Sequence, residues 1–218
     1  QNPPVPPPPM EMMDAQGRVI VHTDGGAEDN RDARFTRSGG GASWGRGHPW
    51  SLSLPILGAL QGPDRAELYM ILAVLETEPR PVHLYCDNSA VCQGLVCRLD
   101  AVTRPKYETG KHSDLWTRIR LELDARPPGS VGVTWVKGHS TGQHVAASIT
   151  TEMSQDRNSH ADELASAATN THTTHHFVTV KKAAEERCRL CVAAQRLMLD
   201  IGRAVFDSCV VAEAVALI

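Results

Sequence analysis

The stretch Val19-Ile20-Val21-His22-Thr23-Asp24-Gly25-Gly26 constrains this chain more than any other. β-Formers run straight into an acid and two glycines, the pattern of a buried strand that ends abruptly at a carboxylate. The glycines leave room for another backbone, or a polymer, to approach that acid. An acid at a strand tip is a natural metal or catalytic position in a sheet with parallel strands.

The remainder supplies Asp24 with partners. Residues 1–17 begin QNPPVPPPP, an extended proline-rich tether. Residues 28–38 are polar and predict a loop. A glycine-rich strand is expected over 39–47 and a half-buried or edge strand over 50–57. Gly62-Pro63 opens a helix that Pro79 stops. Residues 82–87 form a second short strand ending at an acid, followed by a helix over 89–99. A polar loop spans 100–111. Leu115, Ile119 and Leu123 make the apolar stripe of a helix over 112–126. Residues 131–137 alternate as a strand, 138–157 predict a long polar loop, and 158–169 a helix. The order β-β-β-α-β-α-α-β-α predicts an α/β fold, a mixed sheet covered by helices.

Residues 183–216 stand apart. Leu190, Ala194, Leu197, Ile201, Val205, Ala212 and Val215 recur at helical spacing, with Arg189, Arg196, Asp200, Arg203 and Asp207 on the other side. This is an amphipathic helix whose charges exclude a membrane span, and its apolar stripe predicts docking on this domain or on a partner. Cys188 and Cys191, with His172, His175 and His176 upstream, have the donor types of a zinc site; two thiols three apart on such a helix more often pack.

Four acids stand at punctuated positions: Asp24, Glu67, Asp87 and Asp162. Asp24 and Asp87 close two strands, which bring them to one sheet edge if those strands are parallel neighbours. Glu67 and Asp162 are each expected in the first turn of a helix. Taken singly, each has an ordinary explanation: complementing a helix dipole, a capping box at Ser159 and Asp162, or forming a turn. Together they would repel one another unless cations sat among them. Oxygen-only donors select hard ions such as Mg²⁺ or Mn²⁺, and two such ions make a phosphodiester-cleaving site.

The blocks HTDGGA, DRAELYMIL, LYCDNSAV, VKGHS and NSHADELA occur in that order. They resemble the five sequence blocks of type 1 ribonuclease H, including the form attached to retroelement reverse transcriptases, over roughly residues 18–170. HSDLWTRI resembles the family's helix before the fifth strand. The resemblance implies a ribonuclease H-like mixed five-stranded sheet flanked by helices, here with a C-terminal helical extension. It implies a metal-binding tetrad of Asp24, Glu67, Asp87 and Asp162, two Mg²⁺ per site with Mn²⁺ as substitute, and His139 assisting proton transfer or product release. Gly25 and Gly26 match a turn whose backbone approaches the RNA strand. Asn88 and Ser89 stand where the family has other substrate-contacting residues. Arg104, Lys106 and Trp116 belong to a segment that could track phosphates and stack on sugars.

The expected organisation is a tether over 1–17, a ribonuclease H domain over 18–176 and an extension over 177–218. The expected function is metal-dependent hydrolysis of the RNA strand of an RNA/DNA hybrid. The rivals are a non-catalytic module of the same fold and a related nuclease acting on another duplex. Hydrophobic content of 41%, charged content of 22% and six cysteines in 218 residues fit a globular chain without a disulfide framework. A net charge of −3 excludes a wholly basic nucleic-acid binder but permits a local basic patch. With no visible signal peptide, an intracellular location in nucleus or cytoplasm is expected.

Overall fold

The structure is a computed structural model. It describes residues 11–29, 32–138, 142–147, 150–172 and 174–216, with backbone alone for 142, 175–176 and 209–216. These fall into two compact units divided between residues 172 and 173.

In the first unit the strands are β1 (Val19–Glu28), β2 (Arg37–Ser43), β3 (Leu52–Pro55), β4 (Val82–Cys86) and β5 (Val131–Trp135). The helices are α1 (Pro63–Thr77), α2 (Ser89–Leu99), α3 (Ser113–Asp124), α4 (Gly142–Ala146) and α5 (Glu152–Asn170). The five strands form one mixed sheet in the order β3-β2-β1-β4-β5. β1, β2 and β3 make an antiparallel meander, while β4 and β5 run parallel to β1. A buried core joins Val19 and Val21 of β1 and Leu84 of β4 to Met70, Ile71 and Val74 of α1. The predicted stripe of α3, Leu115, Ile119 and Leu123, is buried as its spacing requires.

Four local expectations are corrected. β1 does not end at Asp24: it continues to Glu28, with Asp24 opposite Gly41 and Gly25 opposite Gly40 of β2. Gly25 is therefore a strand residue, and α1 crosses it closely. A Cβ there would lie 2.3 Å from the Glu67 backbone nitrogen. Gly39 and Gly41 serve the same purpose under α5, where a Cβ would meet backbone atoms at 2.3 and 2.1 Å. The glycine run is thus the surface on which two helices sit.

The expected loop over 138–157 contains α4 and the first turns of α5. Helix α5 starts at Glu152, where the Thr151 hydroxyl caps the Ser154 N–H. Asp162 consequently lies eleven residues into α5, mid-helix, which removes the capping-box explanation for Ser159 and Asp162. Glu67 is the fifth residue of α1, past its first turn, where Asp64 is the acidic residue.

Residues 11–14 are tied to this unit. The Ile20 N–H donates to the Met12 carbonyl, and Glu11 accepts from Arg80 at 2.8 and 2.9 Å and pairs with His48 at 3.0 Å. Residues 1–10 of the proline-rich tether lie outside the described residues.

The second unit is α6 (His175–Ala216), a helix of 42 residues. Its stripe residues Leu190, Leu197, Ile201 and Val205 are exposed. Cys188 and Cys191 are exposed as well. Among the described residues no helix is long and apolar enough to cross a membrane.

Candidate active site

The parallel register of β1 and β4 builds the site. Its last pair is Thr23 opposite Cys86, so the next residue on each strand, Asp24 and Asp87, emerges at the same edge. Helix α1 crosses Gly25 and brings Glu67 down onto them from one side. Glu67 is almost fully buried, at 2% exposure, and the Cys86 thiol donates to its Oε2 at 3.5 Å. Asp24, Glu67 and Asp87 each present an oxygen within 4.8 Å of the others'. They are the one such metal-competent group among the described residues.

Asp162 arrives from the other side on α5. A set of polar contacts fixes that helix along its length. Ser154 pairs with the buried His22 ring at 3.0 Å, and the Arg157 guanidinium donates to the Trp44 carbonyl at 2.6 Å. His160 pairs with Ser43 at 2.8 Å, and Arg46 bridges Asp156 and Glu163. Asp162 is held close enough to Asp24 for its charge to act on that carboxyl. The charge of Asp87 acts on Glu67 in the same way. Asp24, Glu67 and Asp87 therefore meet, and Asp162 stands beside Asp24.

The electrostatics follow from that crowding. Burial, then the charges of Asp87 and Asp162, push the Asp24 carboxyl up to about 7. Burial first, then Cys86, Asp24 and Asp87, hold Glu67 well above the usual carboxylate range. Proteins keep clustered acids in this condition only where a cation or a proton compensates them. The donor set is entirely carboxylate oxygen, which fits a hard divalent ion such as Mg²⁺ or Mn²⁺.

Three residues that the sequence reading did not select complete this edge. The Trp135 indole N–H donates to the Asp87 carbonyl at 2.8 Å. Gly138 lies so close that a Cβ would stand 2.3 Å from Asp87 Oδ2. Asp64 accepts from Asn88 Nδ2 at 3.2 Å and from Lys111 at 3.0 Å. Only Gly138 carried a sequence signal, as a glycine directly before His139.

The predicted substrate residues divide. Asn88 stands beside Asp87, where its Oδ1 also caps the Val91 N–H of α2. Ser89 is exposed at the start of α2. A Cβ at Gly26 would meet the Thr169 hydroxyl at 4.0 Å, an ordinary contact. Gly25, by contrast, faces α1 within a strand, not a turn. Trp116 packs under the Arg98 guanidinium, 3.7 Å from its ring centre. Arg104 is not brought to this edge. It pairs with Asp124 and donates to the Arg98 carbonyl at 2.7 Å, beside Val131, at the end of the sheet where the parallel strands begin. Lys106 is exposed, and its backbone carbonyl accepts from Arg120. His139 lies outside the described residues.

Comparison with known proteins matches this architecture. The family model for RNase H matches residues 16–170. The chain belongs to the RNase H family. The ribonuclease H of Mycolicibacterium smegmatis is 32% identical over 138 residues, covering 58% of this chain and 79% of that protein. The ribonuclease H of Schizosaccharomyces pombe is 28% identical over 129 residues, and the match spans 57% of this chain and only 47% of that protein. The solution structure of the PFV RNase H domain shares the fold at a TM-score of 0.52 and 20% identity, over 72% of this chain and 99% of that one. The crystal structure of the Prototype Foamy Virus protease-reverse transcriptase matches at a TM-score of 0.51 and 21% identity. That match covers 72% of this chain and 21% of that one.

The raised carboxyl of Asp24 makes the RNase H domain's stability depend on pH in a definite sense. A carboxyl whose folded pKa of about 7 exceeds its unfolded value of 3.8 stabilises the fold below pH 3.8 and loses that stabilisation as pH rises through 7. His22, which burial lowers to about 3, and His83, His112 and His160, also lowered chiefly by burial, act in the opposite sense over part of this range. The comparison that isolates Asp24 is with Asp24→Asn. In EDTA, wild type should lose stability relative to Asp24→Asn between about pH 4 and pH 7. Parallel melting curves across that range would remove Asp24 from the carboxylate cluster.

Proposed function

We propose that this chain hydrolyses the RNA strand of RNA/DNA hybrids with the help of divalent metal ions. The observation that carries this reading is the convergence of Asp24, Glu67 and Asp87 within 4.8 Å at the edge where the parallel pairing of β1 and β4 ends. Asp162, whose charge acts on Asp24, would complete the ligand set. When bound there, a pair of Mg²⁺ ions supplies water activation and stabilisation of the leaving oxygen.

The chain's own residues prepare that chemistry. Asp24 lies between Asp87 and Asp162 and is the carboxylate placed to be shared. Trp135 and Gly138 fix the position of Asp87 through its carbonyl and its carboxylate. Glu67 is held dry beneath, and ion binding would release the protons that Asp24 and Glu67 retain. Asn88, Gly26 and Ser89 stand on the rim beside the acids, where a sugar edge would pass. The 2′-hydroxyl is the group by which such a rim distinguishes RNA from DNA. His139 would assist proton transfer or release. The reading includes a retroelement reverse-transcriptase type of domain, with which the fold likeness to the foamy virus proteins is consistent.

A single gel tests the proposal with labelled hybrid, DNA duplex and RNA duplex, each with Mg²⁺ and with EDTA. The expected result is cleavage of the RNA strand of the hybrid alone, only with Mg²⁺, leaving 5′-phosphate and 3′-hydroxyl ends. Cleavage in EDTA, or 2′,3′-cyclic products, would refute the metal-dependent reading. No cleavage would favour a non-catalytic module, and cutting of another duplex a related nuclease.

A further inference from the structure

We infer that Asp14, His83 and Thr134 form a second reactive centre, in which the Thr134 hydroxyl takes up the acyl group of an activated ester. Leu84 of β4 packs with α1, so His83 and Tyr85 on either side of it point to the opposite face of the sheet. The parallel register sets His83 beside Gly132 and Tyr85 beside Thr134 of β5, which puts His83 and Thr134 on that same face. His83 Nε2 lies 2.8 Å from Thr134 Oγ1, and its Nδ1 lies 2.7 Å from Asp14 Oδ2. The chain from hydroxyl to imidazole to carboxylate is that of nucleophile, base and orienting group in acyl-transfer sites.

The surroundings fix the tautomer that this role needs. The backbone N–H groups of Gln16 and Arg18 each donate to Asp14 Oδ1 at 2.9 Å, and Arg18 Nε donates to Oδ2 at 2.6 Å. Burial alone would raise the Asp14 carboxyl, but these donors and His83 hold it well below the usual carboxylate range. An ionised carboxylate only accepts, so the Nδ1–H of His83 donates to it and Nε2 is the bare nitrogen that accepts the Thr134 O–H. Arg18 Nη2, the other neighbour of Nδ1, stands farther off at 3.2 Å. Thr134 is exposed, so an ester can reach its hydroxyl. The Arg18 guanidinium lies against Gly132, where a Cβ would be 2.5 Å from Nη1. It puts a positive charge on the face where the oxyanion of acyl transfer develops. In the step itself, Thr134 Oγ1 bonds to the ester carbonyl carbon as its proton passes to His83 Nε2. The bond to the leaving oxygen then breaks with its electron pair, and His83 gives the proton to that oxygen or to water.

The full chain treated with p-nitrophenyl acetate in EDTA tests this without any nuclease activity, so its outcome is separate from that of the hybrid-cleavage gel. Released p-nitrophenolate gives the rate, and peptide mass spectrometry locates the acetyl group. Wild type should carry one acetyl group on Thr134. Thr134→Ser should keep the uptake and Thr134→Val should lose it, while His83→Gln should slow it by about 10²-fold or more, the usual share of a general base. The pH profile separates this role from a merely structural one. Burial lowers the His83 imidazole below its ordinary 6.5, with Asp14 opposing and Arg18 adding to the effect; Tyr85 is the other titratable group against the ring among the described residues. Uptake at Thr134 should therefore level off above pH 6.5 instead of climbing with hydroxide. Acetylation confined to lysines or the N-terminus would overturn the inference. So would a His83→Gln rate equal to that of wild type, or a rate at Thr134 that climbs with hydroxide throughout.

Discussion

Asp24→Asn should reduce hybrid cleavage by more than about 10⁴-fold, whereas His139→Ala should leave measurable activity. The difference follows from position. Asp24 presents an oxygen within 4.8 Å of those of Glu67 and Asp87, and Asp162 is near enough for its charge to act on it. Replacing it with Asn removes the charge that three other acids are arranged around and withdraws a ligand from any ion held there. A histidine that only assists proton transfer contributes about 10²–10⁴-fold, and water or buffer can replace part of it. Single-turnover rates at saturating Mg²⁺ measure both variants. Equal losses would contradict these roles, and a larger loss at His139 would reverse them.

Glu78→Ala should destabilise the domain by about 2–4 kcal/mol, the cost of leaving a buried N–H unsatisfied and of losing charge-assisted bonds from a partly exposed arginine. For a domain of this size that corresponds to a melting temperature lower by on the order of 10 °C. Glu78 is fully buried at the C-terminal end of α1. Its carboxylate accepts from the Trp44 indole at 3.0 Å and from Arg80 at 2.7 and 2.8 Å. Arg80 in turn holds Glu11, so the same network ties residues 11–14 to the sheet. Removing the carboxylate leaves a buried indole N–H without its acceptor and frees Arg80 from its inner partner. Chemical denaturation of wild type, Glu78→Ala and Glu78→Gln measures the effect. Glu78→Gln should fall between the two, because it keeps an acceptor for Trp44 but not the ion pair. A change within about 0.5 kcal/mol, the level of ordinary surface substitutions, would show that the network is not structural.

Much of this architecture is legible in the sequence where local chemistry and tertiary structure agree. Pro63 and Pro79 bracket α1, Asn88 caps α2, and the spacing of Leu115, Ile119 and Leu123 defines the buried face of α3. The resemblance to ribonuclease H named four acids, and the register of Thr23 opposite Cys86 explains why two of them meet.

The misreadings arise where distant contacts override local signals. Gly25-Gly26 has the composition of a turn, yet β2 presents Gly39, Gly40 and Gly41 as pairing partners. Helix α1 needs the space that a Cβ at Gly25 would fill. The first turns of α5 show no apolar stripe because their buried contacts are polar: Ser154 with His22, and Arg157 with the Trp44 carbonyl. The clamp of Trp44, Glu78, Arg80 and Glu11 joins three segments far apart in the chain, and no spacing rule connects them. Arg104 has the charge expected of a phosphate contact, but Asp124 and the Arg98 carbonyl hold it at the other end of the sheet.

The central claim, that four carboxylates converge to hold divalent ions, is tested most directly by melting wild type and Asp24→Asn at pH 8. Each is melted with EDTA and with Mg²⁺. At that pH Asp24 is ionised in the metal-free fold and repelled by Asp87 and Asp162, so replacing it with the near-isosteric Asn should raise the melting temperature in EDTA. Mg²⁺ should raise the wild-type melting temperature with concentration, as a ligand binding only the folded state stabilises it by RT ln(1 + [L]/Kd). That rise should shrink in Asp24→Asn, which has lost the central ligand. A variant no more stable than wild type in EDTA, with an undiminished response to Mg²⁺, would contradict the account.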